Sequence, residues 1–173
     1  MVAKPKTEHN YLLALNVLKR ISKKFDVTMT IVSQVFNSSH KKIKKEALNY
    51  VKKNGLMNHI KFLENIPYSK MENIYKKNSI FLHPADFNIA PVSICEALGY
   101  GLPVICSDAC GTKCYVKNGY NGYIFKKNDT QSLFNIINKI FVSVKFHNQL
   151  SRNAVKDAKK NISFENYYKK FKF

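Results

Sequence analysis

The sequence predicts one α/β domain over residues 1–173, a parallel sheet with helices on both faces. Three observations predict it. The length of 173 residues suits a single domain with a real core. Stretches with helical spacing alternate with short apolar stretches along the chain. Those short stretches are continuous apolar runs, the pattern of strands covered on both faces.

Taken in order, residues 8–24 carry Leu12, Leu15, Leu18 and Ile21 at helical spacing and predict an amphipathic helix. Residues 27–33, VTMTIVS, are β-branched and predict a strand. Residues 38–55 predict a helix capped by Ser38 or Ser39 and stopped by Gly55. Residues 59–65 predict a strand, 68–78 a short helix, and 79–84 a strand. Residues 91–101 predict a helix with Pro91 in its first turn, where the absent N–H costs nothing. Residues 102–107 and 121–127 predict two further strands. Residues 129–144 predict a helix, and two more helices close the chain.

Lys and Arg number 29 against 11 Asp and Glu, a formal charge of +18. That charge attracts nucleic acid, anionic lipid head groups and phosphorylated small molecules, and it says nothing about fold. The lysines are scattered along helices instead of gathered in one tract, which points to compositional bias. A basic module for RNA or DNA is therefore the rival reading, with no glycine–aromatic or recognition-helix motif behind it. No apolar stretch reaches the ~20 residues of a membrane span. The first ten residues hold no apolar signal core, so the expected location is the cytoplasm, with the inner membrane face open to a basic protein. Cys106, Cys110 and Cys114 have a spacing that matches neither a zinc knuckle nor a redox pair, and Cys95 and Cys106 lie in apolar runs as core thiols. No metal site is expected.

The candidate site is FLHPADFNIAPVSICEALGYGLPVICSDACGT, residues 81–112. In parallel sheets, ligands bind beyond the carboxyl ends of the strands. Here His83-Pro84 closes a strand, a loop follows, and a helix starts near Pro91. The start of a helix offers free N–H groups and a positive dipole end to a phosphate. Glu96, one turn further along, can accept hydrogen bonds from two adjacent hydroxyls. A nucleotide presents that combination, a ribose diol beside a diphosphate.

Glu96-Ala97, Gly101, Pro103-Val104-Ile105, Ser107-Asp108, Gly111 and Asn121-Gly122 resemble, in order and spacing, the donor-binding half of family-4 (group 1) retaining glycosyltransferases. Those enzymes have the GT-B architecture of two Rossmann-like domains. The "APVSI" and "CGT" variants look like those of bacterial enzymes that build surface polysaccharide, including lipopolysaccharide. The match is strong over about residues 60–127. The resemblance implies that Glu96 binds the ribose hydroxyls of a UDP- or GDP-sugar. It implies that Ala90, Pro91 and the backbone at Val92, Ser93 and Ile94 surround the diphosphate. Gly111 gives close backbone approach, and Ile66 and Pro67 lie near the base. Lys4 and Lys6 correspond to the family's cations on the diphosphate. The first acid of the family's pair falls on Asn88, which can hydrogen-bond the sugar but carries no charge, and Asp86 is the nearest replacement. Pro91 removes one backbone donor.

What the resemblance implies is retaining transfer of a glycosyl group to an acceptor hydroxyl, with no cofactor and no divalent metal. The chain corresponds to the donor domain alone. The acceptor-binding N-terminal domain is absent from it, and a glycan or lipid-linked acceptor would meet the donor only with that partner present. A decayed donor site, kept for assembly with a partner, is the alternative that Asn88 raises.

Overall fold

The computed structural model describes residues 10–163. Helix α1, Tyr11–Ile21, starts one residue after Asn10, whose side chain accepts the Leu13 N–H. The Asn10 backbone is left-handed (φ 44), which Asn tolerates better than other non-glycine residues. Leu15, Leu18 and Ile21 are buried as expected. Leu12 is 49% exposed, because the inner face is completed by Ala14 and Val17 instead. Strand β1 is Met29–Ser33 and helix α2 is Ser38–Lys53. The cap of α2 is Asn37, not Ser38 or Ser39. Its Oδ1 accepts the His40 N–H at 2.9 Å, one residue before either serine could act. Gly55 ends the segment with φ 66, a region that glycine enters without strain.

Strand β2, Ile60–Glu64, leads through a 3₁₀ turn, Tyr68–Lys70, into helix α3, Met71–Lys76. Strand β3, Phe81–His83, leads into helix α4, Val92–Gly99, for which Pro91 stands as the cap residue just outside the first turn. Strand β4 is Val104–Ser107, followed by a 3₁₀ turn at Gly111–Tyr115. Strand β5 is Gly122–Phe125, and α5 is Thr130–Val142. Helix α6, Val144–Asn161, is the last described element. The expected further helix, with the Tyr and Phe residues of the carboxyl terminus, lies outside the described residues.

All strand pairs are parallel, as the continuous apolar runs required. Among the described residues the pairing runs β1-β2 and β3-β4-β5. Side chains alternate across these strands. Ile31, Leu82, Ile105 and Phe125 join one core with α1, α2 and α5. Val32, Phe81, Val104 and Cys106 join a second core with α3, α4 and α6. The helices thus cover both faces, the layering of a Rossmann-like domain. Each buried Ile or Leu contributes roughly 1.5–3 kcal/mol. All four residues of β4 are buried. Gly122 is required where β5 meets β4: a Cβ there would lie 2.0 Å from the Val104 carbonyl oxygen. The four cysteines are free. Cys106 is a core thiol as expected, but Cys95 is only half-buried, because it lies on the flank of α4 instead of its inner edge.

Candidate functional site

The loops after β2, β3 and β4 gather at the carboxyl ends of the strands. Asp86, three residues beyond β3, accepts a 3.0 Å bond from Asn10 Nδ2, which also donates to Asn128 Oδ1 at 2.6 Å. Asn10 therefore pins the start of α1 to the loops after β3 and β5. This contact ties Asp86 to the rim. Asn10 was not singled out in the sequence. Its only local signal is an Asn directly ahead of an apolar helix, and its partners lie more than 70 residues away.

Asn88 sits on a loop held by its backbone. Its N–H donates to the Ala109 carbonyl (3.2 Å), and its carbonyl accepts from Gly111 N–H (2.9 Å). Its side-chain Nδ2 lies 3.3 Å from His83 Nε2. Gly111 serves this junction directly, since a Cβ there would meet the Ile89 carbonyl oxygen at 1.7 Å. The close approach that its missing side chain allows is that of Ile89. Next to it, Thr112 Oγ1 donates to the Pro91 carbonyl at 3.3 Å, fastening the turn after β4 to the start of α4. Thr112 is a site-shaping residue that sequence reasoning passed over.

At the head of α4, the N–H groups of Val92 and Ser93 have no intrahelical acceptor by position. The Ile94 N–H donates to the Pro91 carbonyl at 3.1 Å, which narrows the expected set of phosphate donors to Val92 and Ser93. Phe87, Ile89 and Val92 are exposed, and Ala90 with them, so the rim of this loop is apolar.

Glu96 lies on α4, half-buried, with its carboxylate turned toward the loop leaving β2. Oε1 accepts from the Tyr68 hydroxyl at 2.8 Å and Oε2 from the Tyr75 hydroxyl at 2.7 Å. Tyr75 is buried on α3, and its ring stacks on Tyr100 with centroids 5.2 Å apart. Tyr68 is exposed and follows Ile66, half-buried, and Pro67, exposed. The bond to Glu96 pushes the Tyr68 phenol above its ordinary range. Burial first, and then the bond to Glu96, pushes Tyr75 up strongly. Each carboxylate oxygen keeps acceptor capacity beyond its one tyrosine. Neither tyrosine was singled out in the sequence, because the pairing spans 21 and 28 residues.

Under α4, the thiols of Cys106 and Cys110 are both buried. The bond from Cys106, with His83 and Ser107 adding to it, holds Cys110 below the ordinary thiol range, and the same contact raises Cys106. Among the described residues no group of three His, Cys, Asp or Glu gathers that could hold a metal ion. Lys4 and Lys6 lie outside the described residues.

A carboxylate with spare acceptor sites thus lies beside a helix start at the carboxyl rim of a parallel α/β sheet, the edge at which such folds take their ligands. Comparison with known proteins makes the class specific. The sequence matches the family "Glycosyl transferases group 1" over residues 1–157, and the chain belongs to that family. It is 35% identical over 82 residues to the UDP-Gal:alpha-D-GlcNAc-diphosphoundecaprenol alpha-1,3-galactosyltransferase of Escherichia coli, a stretch covering 47% of this chain and 21% of that enzyme. The C-terminal domain of the group 1 glycosyl transferase LpcC from Francisella tularensis superposes with a TM-score of 0.85 at 17% identity, covering 92% of this chain and 82% of that one. Anabaena HepE, solved with UDP-glucose, gives a TM-score of 0.86 at 21% identity, covering 96% of this chain and 45% of HepE. WaaG, a glycosyltransferase of lipopolysaccharide biosynthesis, gives 0.79 at 16%, covering 94% and 42%. The fold is thus that of a GT-B C-terminal domain. The matched stretch spans about a fifth of the curated relative.

Proposed function

We propose that this chain is the donor-binding domain of a retaining glycosyltransferase that takes a UDP- or GDP-sugar. The observation that carries the proposal is the Glu96 carboxylate, held at the carboxyl rim with one neutral donor on each oxygen and one turn from the head of α4. A ribose diol meets its remaining acceptor sites, while the diphosphate rests at the N–H groups of Val92 and Ser93. Glu96 binds the donor in this reading, and Asn88 faces the sugar hydroxyls. Ile66 and Pro67 flank the base, and Ala90, Pro91, Ile94 and Gly111 shape the phosphate seat. Lys4 and Lys6 belong to this proposal as cations on the diphosphate. As the sugar–phosphate bond breaks, charge develops on the diphosphate, and the helix start stabilises it. The acceptor hydroxyl then attacks the face the diphosphate left. The acceptor is a glycan or lipid-linked glycan of the bacterial surface, held by an N-terminal GT-B domain outside these residues. The apolar rim of Phe87, Ile89 and Val92 suits contact with that domain.

Among the described residues no helix is long and apolar enough to cross a membrane. With a charge of +18, the chain suits a cytoplasmic enzyme resting on an anionic membrane face.

Calorimetric titration with UDP, GDP and their glucose and galactose conjugates tests the reading. One nucleotide series binds, and Glu96→Ala weakens that binding by roughly 100-fold. Salt-sensitive binding to random single-stranded RNA, with no response to any nucleotide sugar, sinks it. The uncharged Asn88 and the engaged Asp86 favour one rival, a donor-binding domain without catalytic power. Reconstituted with its acceptor-binding half, the chain transfers sugar in the first reading and only binds it in the second.

A further inference from the structure

The two helix layers differ in charge. Helices α1, α2 and α5 carry nine Lys and Arg against one acid, Glu46, while α3, α4 and α6 carry six against three. Helix α2 holds most of the excess. Ala47 and Val51 turn its inner face to the core. Steps of ~100° per residue then place Lys41, Lys42, Lys45, Lys52 and Lys53 within an arc of ~120° on the opposite side. All five are exposed. Ser38 and Asn49 complete that arc, and Glu46 lies just beyond it. Among the described residues no ion pair reaches these five lysines, whereas Lys44 on the flank pairs with Glu64. Two large apolar side chains stand exposed at the ends of the helix. Phe36, 71% exposed, is held at the first turn, where its N–H donates to His40 Nδ1 at 3.3 Å. Met57, 52% exposed, follows Gly55 beyond the last turn. The loop from β1 into α2 is tied to the loop leaving β2, since Val35 N–H donates to Asn65 Oδ1 at 2.9 Å. Phe36 therefore belongs to the carboxyl rim.

We propose that the outward face of α2 is the seat of this domain on a bilayer of anionic phospholipid. The inference deepens the membrane location proposed above and rests on it, while donor binding at Glu96 does not enter. Charge complementarity names the partner. The helix has 16 residues and is about 24 Å long, so its row of lysines lies flat on a surface of head-group phosphates. Each ammonium sits among the phosphates while its stem lies along the interface. Phe36 and Met57 supply the second signal, an apolar side chain at each end to enter the acyl boundary. Single-stranded nucleic acid is the lesser match, because it is held by aromatic side chains set between cations. The outward arc contains none. Tyr50, the aromatic residue of α2, is half-buried and donates its hydroxyl to Asn16 Oδ1. This seat brings the carboxyl rim, through Phe36, to the level of the head groups, where a lipid-linked acceptor presents its hydroxyl.

Co-sedimentation of the full 173-residue chain with lipid vesicles tests this. The chain binds vesicles of phosphatidylcholine with about 30% phosphatidylglycerol and leaves pure phosphatidylcholine unbound. Each lysine near such a surface strengthens binding roughly fivefold, so the triple variant Lys41→Gln, Lys45→Gln, Lys52→Gln weakens it by about 100-fold. The matched variant Lys145→Gln, Arg152→Gln, Lys156→Gln on α6 removes the same charge and changes binding by less than about threefold. Neither variant shifts the urea midpoint, because all six side chains are exposed. The chain has no tryptophan, so Phe36→Trp reads insertion directly. Its emission shifts to the blue on vesicle addition and is quenched by brominated acyl chains, while that of Val144→Trp, at the start of α6, does not change. Equal losses in the two triple variants overturn the proposal in favour of net charge alone, with the membrane location intact. A Phe36→Trp emission that moves no more than that of Val144→Trp also overturns it. Tighter binding to random single-stranded RNA than to the vesicles, at equal phosphate concentration, overturns it in favour of nucleic acid. No binding of the parent chain to the anionic vesicles overturns the seat and the membrane location together, and leaves the calorimetric test of donor binding to stand by itself.

Discussion

Two carboxylates on helices, Glu96 and Asp157, are both drawn inward, and they are treated differently. Asp157 on α6 is closed. Lys117 Nζ binds Oδ1 at 2.6 Å, Asn161 Nδ2 donates to the same oxygen at 2.9 Å, and Asn121 Nδ2 reaches Oδ2 at 3.2 Å. A cation and two amides offset the cost of burying that charge. Glu96 receives one neutral hydroxyl on each oxygen, and among the described residues no ion pair reaches it. The first arrangement stabilises the join between α6 and the segment before β5. The second leaves an anion under-coordinated at a rim, which costs stability in the empty protein and is repaired by a ligand with hydroxyls to donate.

The largest expected effect breaks the closed site. Asn121 is fully buried, accepts the Lys117 N–H at 2.7 Å and donates to the Tyr115 carbonyl at 2.9 Å as well as to Asp157. Asn121→Ala strands those partners and should lower stability by about 3 kcal/mol in urea unfolding. A loss under about 1 kcal/mol means that Asp157 is not the structural centre described here. Next comes Glu96→Ala, which weakens nucleotide-sugar binding by roughly 100-fold in calorimetry, about 2.7 kcal/mol. It changes unfolding stability little, and a large stability loss with unchanged binding inverts the comparison. Smaller again is Tyr75→Phe. Loss of one bond to a charged acceptor weakens binding by roughly tenfold. In a Glu96→Ala background that effect disappears, and a persisting effect assigns Tyr75 to packing alone.

The smallest effect is a matter of pH. Both tyrosines have folded pKa values raised above those of the unfolded chain. Their contribution to stability is therefore complete below the ordinary tyrosine pKa of about 10 and is lost as the pH climbs beyond it. Phenolate absorbance should show late-titrating tyrosines. Glu96→Ala should return Tyr68 toward the ordinary range and leave Tyr75 raised, since burial is its leading cause. Identical titration curves for the two proteins contradict the pairing.

Much of the fold was legible from local pattern. The alternation of helical and apolar runs placed the described strands and helices within two or three residues, because burial on one face imposes a period on the sequence. The strand order was less legible, since pairing is a long-range property that leaves no trace in either run. The candidate site was half legible. Glu96, Asn88 and the head of α4 lie within one short stretch with fixed spacing. Tyr68, Tyr75 and Asn10 carry no local signal, because their partners come from other elements. Gly111 was legible as a close approach, but the atom approached, the Ile89 carbonyl, was not.

The sequence by itself determined the layered α/β class, the family and the location of the acid near a helix start, since periodicity and motif spacing are written along the chain. Only the tertiary structure decided which carboxylate is sealed and which is open. That depends on donors brought together from distant segments, and neither period nor spacing records them.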